Sequence, residues 1–507
     1  MIEDNNTPAL PTDGTVPADT AQTLSAAASL PETSLQEWKV SGIFTSHMVL
    51  QRDTPITVWG FSSHIGAAVE GEWYGERVFG TVGEDGRFSL VFSAHPADSV
   101  PSCMTVSSEY GVTVFDDILV GDVFVIGGQS NAELSLAPCL ADTPDIAEQL
   151  SAEHPIRLFR QTQAGAAAKK EFHHIPSPDI IYPDWTWQTA SPESAKAFSA
   201  IGYYLAHILQ PVIGVPVGVV MMCAGGACLR ELMPVSLAHR LGYHAGANVP
   251  IGGYYNTLIS PLIGLRFRAQ VFFQGESEGI WLEMADAYDD DLAAFVADER
   301  ARFGFNFPFY NIQLSSYREE GAKFFPHLSL VRASQLDALE KIPNSHLTVA
   351  RDLGSDDGYP DFAHSPHKYE LSCRLAAQIL ASEYGIGDIG AAVSPHPVSA
   401  RYDENGGAVL VTFANVHGGL CTQDGSALVG FSFPDGNRGE IPAKAEILSS
   451  DTVRVEIPAG AMTKTVHFAM GNIADTRAAN LAGGNQNSLA HPLPVPSFIL
   501  RVDENAD

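Results

Sequence analysis

A chain of 507 residues is longer than one hydrophobic core serves, and at roughly 100 to 200 residues per domain it divides into two to four parts. Its 29 Lys and Arg against 59 Asp and Glu leave a net charge of −30, which repels phosphate backbones and anionic lipid headgroups and argues against nucleic acid and membrane as partners. No apolar run reaches the ~18 residues that span a bilayer, and no basic stretch followed by an apolar core opens the chain; read as complete it is cytoplasmic, and with a signal peptide removed it would be secreted or periplasmic.

Residues 1–36 are rich in Pro, Thr, Ala, Asp and Ser and hold no aromatic ring. They bury too little to repay the entropy of ordering and read as a disordered tail. Residues 37–118 carry short runs, "ITVWGF", "AAVEGEW", "RFSLVFS" and "CMTVSS", parted by turn residues such as "GEDGR" and "SSEYG". Without a helical period these predict an N-terminal β-sandwich.

Residues 119–392 alternate apolar strands with amphipathic helices, the pattern of a parallel sheet covered on both faces. The strands are "DVFVIG" (122–127), "GVVMMC" (218–223), "AQVFFQ" (269–274), "PFYNIQL" (308–314) and "HLTVARD" (346–352). Five strands suit an α/β class, flavodoxin-like, with three α/β/α layers. Helices are predicted where Phe198, Ile201, Leu205 and Ile208 share a face, over "AYDDDLAAFVADERARF" before Gly304, and over "KYELSCRLAAQILASEY" before Gly385. Residues 393–507 return to strands such as "GAVLVTFANV" and "TVRVEIP" and predict a C-terminal β-sandwich, closed by an irregular strap at 478–500.

The six cysteines, Cys103, Cys139, Cys223, Cys228, Cys373 and Cys421, show no metal-ligand spacing and read as buried thiols. No cofactor and no metal are implied.

In an open parallel sheet, ligands lie beyond the carboxyl ends of the strands. Those ends carry Gln129, Ser130 and Asn131; Gly225 and Gly226; Gln274 and Glu276; and, past the last strand, "DFAHSPHK". Acyl transfer needs a hydroxyl nucleophile, a base, a carboxylate to orient the base, and donors for the oxyanion. Ser130 can attack, His364 can take and return the proton, and Asp361, three residues earlier, can hold the imidazole tautomer. The NH of Ser130, the NH of Gly225 or Gly226, and the amide of Gln274 would form the oxyanion hole. Taken singly, each has a plainer role: a serine in such a turn caps a helix, and a Gly-Gly turn lets a helix approach the sheet. His367 competes with His364 as the base. A metal set of His364, His367 and Glu370 is disfavoured because Pro366 breaks the helical spacing.

Several longer motifs carry a resemblance. "FTSHMVLQR" (Phe44 to Arg52), "GDVFVIGGQSNAE", "GVPVGVVMMCAGGAC", "YNTLISPL", "FFQGES" and "HSPHKYELSCRLA" together resemble the sialate O-acetylesterase family, a branch of the SGNH/GDSL-like carbohydrate esterases. The likeness runs over almost everything after the tail. It implies an SGNH-type catalytic unit and hydrolysis of O-acetyl esters on sugars, typically sialic acids, through an acetyl-enzyme without metal. It selects His364 over His367 and gives Ser130, His364 and Asp361 as the triad. Substrate contacts are expected at Gln129, Asn131, Asn256 and Glu276, with Arg230 a further candidate beyond the glycine turn. Ala132 and Leu232 stand where the family keeps Met and Trp, which would reshape the pocket. Other readings are an acetylxylan or other plant-polysaccharide esterase, a glycan-binding module without catalysis, and a GDSL-type lipase, for which no amphipathic lid is present.

Overall fold

A computed structural model of the chain describes residues 37–150, 154–162, 175–317, 323–355, 360–437, 439–471, 478–483 and 492–503; the tail expected at 1–36 lies outside them. The protein is a mixed α/β chain with several sheets. At its centre run six parallel strands, β1 (Gly111–Gly128), β2 (Ile156–Thr162), β3 (Val217–Cys223), β4 (Ala269–Phe273), β5 (Phe309–Gln313) and β6 (Ser345–Val349). They lie side by side in the order β2-β3-β1-β4-β5-β6, with Trp187–Thr189 antiparallel on the β2 edge. Every residue of β3, β4 and β5 is buried, which is why these strands read as mostly apolar runs, interrupted only by Gln270, Asn311 and Gln313.

Strand β2 was not expected from the sequence. Arg157 and Arg160 interrupt its apolar character, and Arg157 Nη2 donates to the Asp117 carboxylate at 3.1 Å. A helix over Leu328–Lys341 was also not expected; it turns Arg332, Ser334 and Gln335 inward among Leu328, Val331 and Ala338, so polar residues interrupt its apolar stripe. The single helix expected around Phe198 is two, Pro192–Ala197 and α2 (Ala200–Ile213), after α1 (Ser130–Glu133). The break comes at Ser199, whose hydroxyl accepts from the Gly202 NH at 3.2 Å and caps α2. The other two expected helices form as α3 (Tyr288–Phe303) and α4 (Lys368–Tyr384), each stopped by a left-handed glycine, Gly304 and Gly385.

Strand β1 runs straight through the boundary expected at 118. Its first half pairs antiparallel with Asp98–Ser108 and its second half lies in the central sheet. One buried cluster accordingly runs from Val40 to Ile379. The junction is pinned by Asp122, fully buried, which accepts from Arg52 (3.0 and 3.1 Å), Arg268 (3.1 Å), Gln51 (2.9 Å) and the Tyr384 hydroxyl (2.8 Å). This gives the "QR" of the early motif a physical role. The C-terminal part keeps its own core, with Phe431, Phe468 and Phe498 between two four-stranded antiparallel sheets.

All six cysteines are free; four are buried, but Cys421 is half-buried and Cys103, on an outer strand, is exposed, so those two depart from the expected buried thiols. Among the described residues, no helix is long and apolar enough to cross a membrane.

Candidate active site

In the parallel ladder Gly128 stands opposite both Cys223 and Phe273. The turns that follow, Gln129–Ser130, Ala224–Gly226 and Gln274–Glu276, therefore leave the sheet at one level. Gly128 makes the first turn possible: its φ is 131°, and a Cβ there would lie 2.1 Å from the Phe273 carbonyl oxygen. The helix α1 then starts directly. Gln129, extended at φ −117°, holds the cap position without a side-chain bond, and Ser130 is the first helical residue. The capping role that a lone serine suggests thus falls to a neighbour, and the half-buried Ser130 hydroxyl makes no hydrogen bond to His364 among the described residues.

Side chains around α1 hold it in place. The Ser199 hydroxyl donates to the Ala132 carbonyl at 2.6 Å, and the Glu133 carboxylate accepts from the Gly225 NH at 2.9 Å. Across the rim, His364 Nδ1 lies 2.7 Å from Asp361 Oδ2, while Asp361 Oδ1 accepts from the NH groups of Ala363 (2.9 Å) and His364 (3.1 Å). Burial pushes the Asp361 carboxyl up, but the His364 contact and the two NH groups outweigh it and hold it below its usual range. His367 instead pairs with Asp142 at 2.8 Å, and Glu370 binds Arg374 at 2.5 Å. The three residues of the metal reading thus have three different partners.

Several expected contacts are placed differently. The Gln274 amide, fully buried, donates to Glu278 (2.6 Å), the Ala227 carbonyl (3.0 Å) and Gln129 (3.3 Å), and its oxygen accepts from Tyr288. It has no hydrogen left for an oxyanion. The Gly225 NH is likewise taken by Glu133, whereas Gly226 is exposed, with φ 74° and its carbonyl bonded to Asn248 and Ser277. Gln129 is buried, and its oxygen accepts from the Gly275 NH at 3.2 Å and so shapes the third turn. Asn131, Asn256 and Glu276 are also buried. Arg230 lies 5.5 Å over the Tyr243 ring. Ala132 and Leu232 are packed in the core, at 0% and 1% exposure, so these departures act through packing rather than on an open wall.

Sequence reasoning gave no role to three side chains in the site. Glu133 organises the glycine turn. Lys368 and Tyr317 surround Asn131: Lys368 Nζ donates to its oxygen at 2.8 Å and its amide donates to the Tyr317 hydroxyl at 3.3 Å. The signal for Lys368 was a lysine opening a helix, where its charge opposes the helix dipole. Burial pulls its ammonium down to about 8, against Cys139, Glu276 and Asp361. Burial also pushes the Glu276 carboxyl up, opposed by the Asn131 hydrogen bond. Behind them, burial drives Glu278 up to about 7.

Fold and rim together define a mixed α/β protein with its candidate site at the carboxyl ends of a parallel sheet. The crystal structure of a carbohydrate acetylesterase from Xanthomonas citri is similar with a TM-score of 0.76 and 28% identity, over 91% of this chain and 99% of that one. Residues 120–381 match the family described as carbohydrate esterase, sialic acid-specific acetylesterase, and the chain belongs to that family. The human sialate O-acetylesterase is 23% identical over 295 residues, covering 53% of this chain and 54% of that protein. The rat sialate O-acetylesterase is 21% identical over 406 residues, covering 69% and 74%. The chain spans about half the length of the human relative it matches.

Proposed function

We propose that this protein is a carbohydrate O-acetylesterase, with an SGNH-type three-layer unit between two β-sandwiches, that removes acetyl groups from sugars by a Ser-His-Asp mechanism. The observation that carries the reading is the His364–Asp361 pair at 2.7 Å, on the same rim as the free turn serine. Asp361 fixes the proton on Nδ1 and leaves Nε2 basic. The imidazole takes the Ser130 proton as Oγ attacks the acetyl carbon, and returns it to the sugar oxygen as the C–O bond breaks. Water, deprotonated by the same imidazole, then releases acetate from Ser130. The Ser130 NH, at the first turn of α1 where backbone donors have no intrahelical acceptor, and the Gly226 NH serve the oxyanion.

Sialic acids are the substrate that the family and the mammalian relatives favour. A neutral polysaccharide such as acetylxylan is the second reading, favoured by the net charge of −30, which opposes an anionic sugar. The test is acetate release from an aryl acetate, O-acetylated sialic acids and acetylated xylan fragments. Ser130→Ala is expected to abolish release from all of them with the fold intact, and retained turnover overturns the mechanism.

A further inference from the structure

Asn131 is 1% exposed, and each of its polar atoms has a protein partner. Its Oδ1 accepts from Lys368 Nζ at 2.8 Å; its Nδ2 donates to Glu276 Oε1 (2.6 Å), the Ala363 carbonyl (3.0 Å) and the Tyr317 hydroxyl (3.3 Å). Two of these partners matter together. Asn131 directly follows Ser130, and Ala363 directly precedes His364, so the Nδ2 bond to Ala363 ties the serine turn to the histidine loop across 232 residues of sequence.

The two charged partners sit on opposite ends of the amide. A cation on Oδ1 and a carboxylate on Nδ2 polarise it in one direction, which strengthens its N–H donors in a low-dielectric site. Lys368 stands at a costly place for this service. It is 1% exposed and opens α4 at the positive end of the helix dipole, and its ammonium lies 5.5 Å over the Phe273 ring. A lysine used only for packing has no reason to be there, since an apolar side chain of similar length would fill the space without the desolvation.

We infer that Lys368, Asn131 and Glu276 form a charge-bridged clamp that sets the separation of Ser130 from His364. Lys368 is a positioning residue acting through Asn131, and Asn131 is not a sugar contact. The inference rests on the esterase reading.

The test compares the full chain with Lys368→Met, Asn131→Ala and the double variant. Each is assayed on an aryl acetate and on an O-acetylated sugar, with a thermal melt of each. A displacement of about 1 Å between reacting groups lowers turnover on the order of 100-fold. Both single variants should therefore lose kcat by about that factor on both esters, with KM within about twofold. The double variant should be no slower than the worse single one, because both changes break the same clamp. The clamp is refuted if Lys368→Met lowers the melting temperature but keeps kcat per folded molecule, or if the two losses multiply. It is also refuted if Asn131→Ala raises KM for the sugar ester and keeps kcat, the mark of a substrate contact. Should Lys368→Met not fold, the kcat-against-KM split of Asn131→Ala decides alone. A wild-type chain inert to both esters refutes the esterase reading itself, and the clamp with it.

Discussion

Asp361 binds His364 through both ends of one short turn: one carboxylate oxygen meets the imidazole Nδ1 at 2.7 Å while the other accepts the His364 backbone NH at 3.1 Å. The ring and the peptide that carries it are oriented by the same side chain. Asp361→Asn keeps the shape but offers an amide, which can donate to Nδ1 and favour the wrong tautomer. Aryl acetate turnover should fall by about 10²- to 10⁴-fold with little change in melting temperature. Unchanged turnover would exclude Asp361 from the chemistry.

The turn before the serine depends on a residue without a side chain. Gly128→Ala would force a Cβ to 2.1 Å from the Phe273 oxygen at a φ of 131°, so β1 and β4 must part where Ser130 is presented. The expected result is a loss of roughly 3 kcal/mol or more, above that of ordinary strained positions, together with loss of activity. Equilibrium unfolding in urea measures the first and acetate release the second.

Asp122 should dominate the coupling of the N-terminal strands to the central sheet. Burial opposes its charge, but Arg52, Arg268 and Gln51 outweigh this and hold its carboxyl below its usual 3.8. Its stabilising effect is present above that value and is lost as pH falls through the lower folded value. Asp122→Asn leaves two guanidiniums facing a neutral amide and should lower stability at neutral pH by about 3–5 kcal/mol. Calorimetry should show this, together with a shallower acid limb in the variant.

Glu299 predicts the opposite pH dependence. Burial pushes its carboxyl from 4.5 up to about 8, and its Oε1 lies buried without a hydrogen-bond partner, as does Gln270 Oε1. Oε2 accepts from Gln270 Nε2 at 3.0 Å, and a proton on the carboxyl removes the cost of a buried, half-paired charge. The folded state therefore holds a proton that the unfolded chain has released, and stability declines as pH rises from 4.5 to about 8. Glu299→Gln removes that charge permanently. At pH 7 it should be the more stable protein by up to about 3 kcal/mol, with the advantage vanishing near pH 4. Equal melting temperatures at pH 7 would show that Glu299 is not held neutral.

Local chemistry, read in order, determined a good deal of this protein. Apolar runs buried on both faces marked β1, β3, β4, β5 and β6, because such strands tolerate few polar residues. Glycines at 304 and 385 ended two helices where they were expected, and a three-residue spacing was enough to bring Asp361 to His364. The motifs also identified the family. The tertiary structure decided what depends on distant partners. Strand β2 and the helix at Leu328–Lys341 escaped notice because Arg157, Arg332 and Gln335 are buried against groups far away in sequence. The boundary at 118 does not divide the core, because Arg52 and Arg268 meet on Asp122 inside a continuous strand. Gln274 and Asn131 both resemble ligand donors in the sequence, yet each spends its hydrogen bonds within the protein. A residue type states which bonds it can make, and only packing decides whether a partner in the chain or a substrate receives them.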